Sequence, residues 1–377
     1  MMKPRDVRQK KTERPIMSSP KPILNRAQGF CETFGLQLPI LMAPMAGACP
    51  TSLAAAVANA GGLGACGTLM MSPEEIGEWV TSFRVSSNGG FQLNLWIPDP
   101  TPLRDEGREE TLRDFLGQWG PAVGPEAGDA GPLDFSAQCD AMLAAGPTAI
   151  SSIMGLYPDA FVVRMKDQGV KWFATVTTVA EARAAAEAGA DVIVAQGMEA
   201  GGHRGAFEAG QAERTMVGLF ALLPAVCDAV ALPVVATGGI ADARGVAAAL
   251  MLGASAAQIG TGLLRTPEAS LTPAWADAIG QTAPEDTIVT RAFSGRAGRS
   301  VATAYARAAN RPDTPDPAPY PVQRGLTGAM RGEGTKNNDI ERMQAWAGQS
   351  ARLAEARPAS DLVRDIWADA EVLLGGS

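Results

Sequence analysis

The sequence predicts an α/β chain wound as a (β/α)8 barrel, with a smaller helical cap region at its C-terminal end. Three observations carry this. Eight short apolar runs recur along the chain, each closed by a turn residue. Between them lie alanine-rich or amphipathic segments that stop at glycine. The stretch from Thr33 to Pro73 holds no charged residue, as central parallel strands buried on both faces require. Helix, glycine, strand in repetition is the sequence form of right-handed βαβ units on a parallel sheet.

The expected strands, in order, are Pro39–Met45, Leu63–Gly67, Phe91–Ile97, Ala149–Gly155, Lys171–Val176, Val192–Gly197, Pro233–Gly239 and Ala257–Gly262. Helices are expected between them. Thr51–Asn59 stops at Gly61-Gly62, and Ser72-Pro73-Glu74-Glu75 opens the next helix with a cap, a proline at the first position and acids in the first turn. Ala160–Gln168 ends at Gly169, Thr178–Ala188 at Gly189, and Ala241–Leu252 at Gly253, while Met216–Ala229 precedes Pro233. Eight strands in this rhythm match the closed barrel. An open doubly wound sheet would want Gly-x-Gly-x-x-Gly after its first strand, and none is there.

Two regions break the rhythm. Residues 98–148 read as an insert before strand 4, turn-rich over Gly117–Gly131 and helical over Phe135–Ala145. Residues 266–377 read as a cap and tail, including the proline-rich Arg311–Pro321. The domain reading is therefore a disordered basic tail over 1–28, a barrel over 29–265 and the cap over 266–377. Within residues 1–22, Lys3, Arg5, Arg8, Lys10, Lys11, Arg14 and Lys21 stand against Asp6 and Glu13, and no apolar core marks a secretory signal.

Composition narrows the partners. The 377 residues carry a net charge of −8, which argues against a nucleic-acid partner, since phosphate binding wants a basic face. The uncharged stretch 33–73 is broken by Pro39, Pro44, Pro50 and its glycines, so no membrane span is expected. Five scattered cysteines without Cys-x-x-Cys spacing suggest a reducing, cytoplasmic setting without a disulfide framework. One histidine and no cysteine cluster make a metal site improbable. The chain is expected to act as a monomer or homodimer.

That one histidine is the centre of the functional reading. Asp191 to Gly205 runs as a buried strand, Val192-Ile193-Val194-Ala195, ending in Gln196 and followed by a loop with Gly197, Gly201, Gly202, His203 and Gly205. A residue that titrates near neutrality, on a glycine loop past a barrel strand, reads as catalytic; a histidine satisfied by a loop carbonyl is the plainer alternative. Gly238, Gly239, Gly260 and Thr261 follow strands 7 and 8, where barrels bind phosphate with backbone N–H groups.

Pro39 to Gly47, Gly61-Gly62-Leu63-Gly64, Asn94-Leu95-Trp96, Gln196 to Gly205, Ala236-Thr237-Gly238-Gly239-Ile240, Gln258-Ile259-Gly260-Thr261 and Ala347-Gly348-Gln349, in this order, resemble nitronate monooxygenase, formerly 2-nitropropane dioxygenase. The resemblance covers about residues 30–355. It implies a TIM barrel that binds FMN without covalent attachment and oxidises alkyl nitronates, or nitroalkanes, with O2 to a carbonyl compound and nitrite. It puts Ala43, Pro44 and Met45 against the flavin, and Asn94 and Gln196 on the isoalloxazine or ribityl chain. Gly201, Gly238, Gly239, Gln258, Gly260 and Thr261 fall around the ribityl phosphate, and His203 takes the active-site position. A neutral nitroalkane must lose an α-proton, for which a neutral imidazole near pH 7 is a suitable base; toward a nitronate it would donate a hydrogen bond. Glu199 is a candidate partner for its imidazole or a solvated carboxylate, and Arg204 a candidate anion attractor or a surface residue. Trp346 is a flavin cover or a core residue. Ser151-Ser152-Ile153-Met154-Gly155 departs from the family's Ser-Phe-(His/Thr)-Phe-Gly, and Ala297-Gly298 stands where Pro-Ala is common. Two rivals share the barrel: a flavin-dependent NAD(P)H reductase of the enoyl-acyl carrier protein or quinone type, and a flavin-binding barrel without catalytic turnover.

Overall fold

The computed structural model describes residues 21–375 except Ala130. Eight parallel strands form the barrel: β1 (Ile40–Met42), β2 (Gly64–Gly67), β3 (Phe91–Trp96), β4 (Ala149–Ile153), β5 (Lys171–Val176), β6 (Val192–Gln196), β7 (Val234–Thr237) and β8 (Ala256–Ile259). Neighbours pair in the order β1-β8-β7-β6-β5-β4-β3-β2. A parallel bridge between Leu41 and Leu63 closes the ring, with Met42 N donating to Leu63 O at 2.9 Å and Leu63 N to Ile40 O at 3.1 Å. The predicted strands are present but mostly shorter than expected: the first is Ile40–Met42 rather than Pro39–Met45, the seventh Val234–Thr237 rather than Pro233–Gly239, and the last starts a residue early and ends three residues early.

Strand alternation decides what fills the barrel. Leu41, Leu63, Ala149, Phe173, Val192, Val194, Val235 and Ala256 form one buried cluster with Phe30 and Phe34. Their alternates, such as Ile193, Ala195, Leu93 and Ile150, join the larger cluster shared with the surrounding helices. The inward face changes character along each strand. One or two alternations after the apolar layer stand Gln92 and Asn94 on β3, Ser151 on β4, Thr175 on β5, Gln196 on β6, Thr237 on β7 and Gln258 on β8, all buried. The barrel is thus apolar at its N-terminal end and polar toward its C-terminal face, where ligands bind in this fold.

The boundaries of the tail and the cap need correction. A helix runs over Lys21–Phe34, so residues 21–28 are not tail. Its Ile23, Ala27 and Phe30 are buried, and Phe30 and Phe34 meet Phe173 at 6.4 and 5.1 Å between ring centroids, plugging the barrel floor. Residues 1–20 lie outside the described residues. At the other end, the helix Ala359–Leu373 packs on helices Ala243–Met251 and Thr51–Asn59. Its Leu362, Val363, Ile366 and Ala370 belong to the main core, so it fills the place of the eighth barrel helix. The cap is an insertion between β8 and that helix rather than a terminal region.

The 98–148 insert is more ordered than its composition suggests. Asp105 caps a helix over Glu106–Leu116, whose Leu112 and Leu116 join Phe293, Tyr305, Val322, Leu326 and Met330 of the cap in one core. The cap also carries an antiparallel sheet, Thr287–Thr290 with Gly298–Val301, to which Gly202–His203 adds a third short strand. Among the described residues, no helix is long and apolar enough to cross a membrane.

Candidate active site

A cavity of about 830 Å³ opens at the C-terminal face of the barrel, within the range of ligand sites. Strand ends supply its floor. Ala43, Pro44 and Met45 follow β1, Asn94 lies on β3, Gln196 ends β6, Gly238 and Gly239 follow β7, Gln258 lies on β8, and Gly260 and Thr261 follow it. Gly201 and His203 come from the loop after β6. All of these residues line the one cavity.

The β7 and β8 loops make a cradle of backbone donors. Gly238 and Gly239 have φ of +110° and +70°, conformations that L side chains rarely adopt. A Cβ on Gly201 would lie 2.5 Å from Gly348 N and 2.8 Å from Thr261 Oγ1, so the chain passes too closely there for any side chain. Thr261 Oγ1 accepts a hydrogen bond from Gly348 N at 3.0 Å, tying the cradle to the cap. The N–H groups of Gly239, Gly260 and Thr261 have no acceptor among the described residues. Asp242 caps the following helix by accepting from Gly245 N at 3.0 Å, which leaves the loop itself to receive an anion.

His203 is held on three sides. Its ring sits edge-on between Trp96 and Trp346, with centroids at 4.5 and 4.7 Å. Nε2 lies 2.7 Å from Ser294 Oγ. Ser294 Oγ also accepts from Arg296 N and lies within donating distance of Arg296 O, both at 3.3 Å. Two proton arrangements fit: the serine donates to Nε2 and the imidazole proton sits on Nδ1, which has no partner among the described residues, or Nε2–H donates to Ser294 and the serine donates to Arg296 O. Burial, reinforced by the guanidinium groups of Arg296, Arg324 and Arg331, pushes the imidazole down from 6.5 to about 3. Burial thus keeps the ring neutral at neutral pH and makes it a weaker base than an ordinary imidazole.

The neighbours of His203 also differ from expectation. Glu199 neither contacts the imidazole nor floats in solvent: its carboxylate accepts from Leu219 N at 2.9 and 3.0 Å, at the start of helix Leu219–Ala229. Arg204 is buried, donating to the carbonyls of Gln196 at 2.6 Å, Thr215 at 3.1 Å and Thr177 at 3.4 Å. Both are fasteners of the loop. Gln196 is one as well, since its amide donates to His203 O at 3.1 Å and accepts from Gly205 N at 2.8 Å. Trp346 is both a cavity wall and a core residue, packing on Phe293 at 5.7 Å.

The profile of a protein family described as nitronate monooxygenase matches residues 30–369. The chain belongs to the nitronate monooxygenase family. It is 32% identical over 340 residues to a probable nitronate monooxygenase of Staphylococcus aureus strain MSSA476, covering 89% of this chain and 95% of that one. Among solved structures, nitroalkane oxidase from Streptomyces ansochromogenes is 33% identical with a TM-score of 0.84, covering 92% of this chain and 99% of that one. FabK from Thermotoga maritima is 28% identical with a TM-score of 0.72, covering 92% and 97%. The protein is thus an oxidoreductase of a flavin-dependent family that oxidises nitronates or nitroalkanes.

For a nitronate monooxygenase, the part of the site that the motifs did not reveal lies in the cap. Arg324, Arg331 and Lys336 line the cavity, while no Asp or Glu among the described residues does. Arg331 donates to Thr327 Oγ1, Gln344 Oε1 and Arg324 O at 3.0, 2.9 and 2.8 Å. Burial and Arg324 lower it to about 10, so it stays charged at neutral pH. The Arg324 guanidinium has no partner among the described residues. An acidic protein therefore carries a cationic cavity. These residues stand on short helices, Val322–Leu326 and Gly328–Lys336, without a recognisable motif. Ser294 lies three residues before the unusual Ala297-Gly298, and nothing in its neighbours announces its contact with His203. The departure at Gly298 has a physical reason: a Cβ there would lie 2.9 Å from the Trp346 ring.

Proposed function

We propose that the chain binds FMN in this cavity and oxidises alkyl nitronates with O2 to a carbonyl compound and nitrite. The observation that carries the nitronate, rather than the neutral nitroalkane, is the charge of the cavity: among the described residues three cations line it and no carboxylate does. The unpaired N–H groups of Gly239, Gly260 and Thr261 suit the flavin phosphate. Ala43, Pro44, Met45, Asn94 and Gln258 would meet the rest of the cofactor, and Gly201 and Gly238 let the backbone come close to it. When bound, FMN supplies the electron acceptor and the place where O2 reacts.

The remaining work falls to the chain's own side chains. Arg324 and Arg331 draw the anion into a site shielded from bulk water, where their charge is less screened. A nitronate arrives already deprotonated, so no base of the enzyme is required. The Nδ1–H of His203 donates to a nitro oxygen, and Ser294 keeps that proton on Nδ1 by occupying Nε2. Trp96 and Trp346 fix the plane of the ring. Direct tests are release of FMN on heat denaturation and nitrite formed from a preformed nitronate.

The second reading is a flavin-dependent NAD(P)H reductase. Anaerobic mixing with NADH or NADPH separates the two: fast bleaching of the flavin belongs to a reductase.

A further inference from the structure

Gln92 is fully buried on β3 and does not itself line the cavity. Its Nε2 donates to Met42 O at 3.0 Å and to Gln258 Oε1 at 3.1 Å. A backbone carbonyl only accepts, so Met42 O decides which end of the Gln92 amide is nitrogen. The second hydrogen of the same nitrogen then decides the orientation of Gln258: oxygen toward Gln92, nitrogen away from it. Gln258 lines the cavity, and its Nε2 has no partner among the described residues. The other end of the Gln92 amide does nothing for the fold, because Oε1 is buried with no hydrogen-bond partner. A buried orphan acceptor is costly, and an apolar side chain of the same length would avoid that cost. The amide is explained if its donor end is needed.

We propose that Gln92 is a positioning residue for the cofactor: acting through Gln258, it holds two N–H donors toward the cavity and so selects an acceptor group of the bound flavin. This rests on the FMN reading above. It assigns Gln258 the role of donor at that point and places the cause of that polarity on a residue outside the ligand's reach.

The test is a double-mutant cycle on flavin affinity, read by fluorescence titration of apoprotein with FMN, together with the flavin absorption maximum and Tm. Gln92→Met removes the donor, keeps the length and deletes the orphan oxygen. FMN Kd is expected to rise roughly five- to tenfold, the scale of one hydrogen bond, with a displaced absorption maximum. In a Gln258→Met background the same substitution should change Kd by less than about twofold, because the residue it acts through is gone. Equal losses in both backgrounds, or no loss in the first, overturn the proposal and make Gln92 a packing residue or one that acts only through Met42. A wild-type apoprotein that takes up no FMN overturns the cofactor reading itself, and this proposal with it. If Gln92→Met lacks a cooperative melt, Gln92→Leu is read in the same cycle.

Discussion

Ser294→Ala isolates what a single hydrogen bond contributes to the site. Ser294 Oγ is the partner of His203 Nε2, at 2.7 Å. Without it, the neutral imidazole is free to carry its proton on Nε2 and turn a lone pair toward the nitronate. Removing one partner of such a buried bond costs ~1–3 kcal/mol, or roughly 5- to 150-fold in kcat/KM. The lower part of that range applies here. Trp96 and Trp346 still clamp the ring at 4.5 and 4.7 Å, so its position survives and only its proton preference is lost. The expected loss is about tenfold, ~1.4 kcal/mol, in kcat/KM for a preformed alkyl nitronate. Flavin content should not change, since Ser294 does not line the cavity. The assay is initial-rate O2 uptake, with FMN occupancy read from the visible spectrum. A variant within twofold of wild type would refute the assignment of the serine proton to His203. Loss of flavin in step with activity would show that Ser294 supports the cavity as a whole.

Three further outcomes follow from the geometry. Gly260→Glu should yield colourless protein: its Cβ would lie 3.3 Å from that of Ala43, and the carboxylate would oppose an anion in the backbone cradle; a yellow variant with normal FMN affinity would remove the phosphate from this loop. Gly298→Ala should push Trp346 off His203, raising KM for the nitronate and costing ~1 kcal/mol or more of stability by overpacking, with FMN retained; unchanged KM and Tm would show that the ring yields freely. His203 is held at about 3 in the folded protein against 6.5 ordinarily, so between those values the unfolded chain binds a proton that the folded chain does not. Its contribution is therefore complete above pH ~6.5 and declines as pH falls toward ~3, by at most ~1.4 kcal/mol per unit. Urea unfolding at pH 7 and 5 should show wild type losing more stability than His203→Asn. Equal losses would mean that the ring titrates normally.

The parts of the molecule legible in the sequence are those fixed by local pattern. Val192, Val194 and Gln196 alternate on one strand, and that alternation alone puts a polar group at the mouth of an apolar barrel. Gly238 and Gly239 announce a turn with positive φ, and the structure has one. What stayed hidden depends on chain segments that meet only in three dimensions. The helix Ala359–Leu373 looks like the end of a cap in sequence order, yet its Leu362, Val363 and Ile366 complete the barrel's outer layer. Arg204 and Glu199 read as loop charges, but the backbone carbonyls and N–H groups they bind come from other elements. The depressed pKa of His203 comes first from burial and then from Arg296, Arg324 and Arg331, which lie 93 to 128 positions away and reach it only once the cap has folded over the site.

The proposed substrate is an anionic nitronate, oxidised at a flavin bound in this cationic cavity. The most direct test is O2 uptake and nitrite formation by the purified yellow protein, comparing a preformed alkyl nitronate with its parent nitroalkane, beside anaerobic mixing with NADH and NADPH. Nitronate-dependent O2 uptake with matching nitrite is expected, with kcat/KM for the nitronate ~100-fold above the nitroalkane because burial leaves His203 a weak base for the α-proton, and slow or absent bleaching by either nucleotide. Equal rates on nitroalkane and nitronate, or rapid bleaching by NADH or NADPH without nitronate turnover, would contradict it.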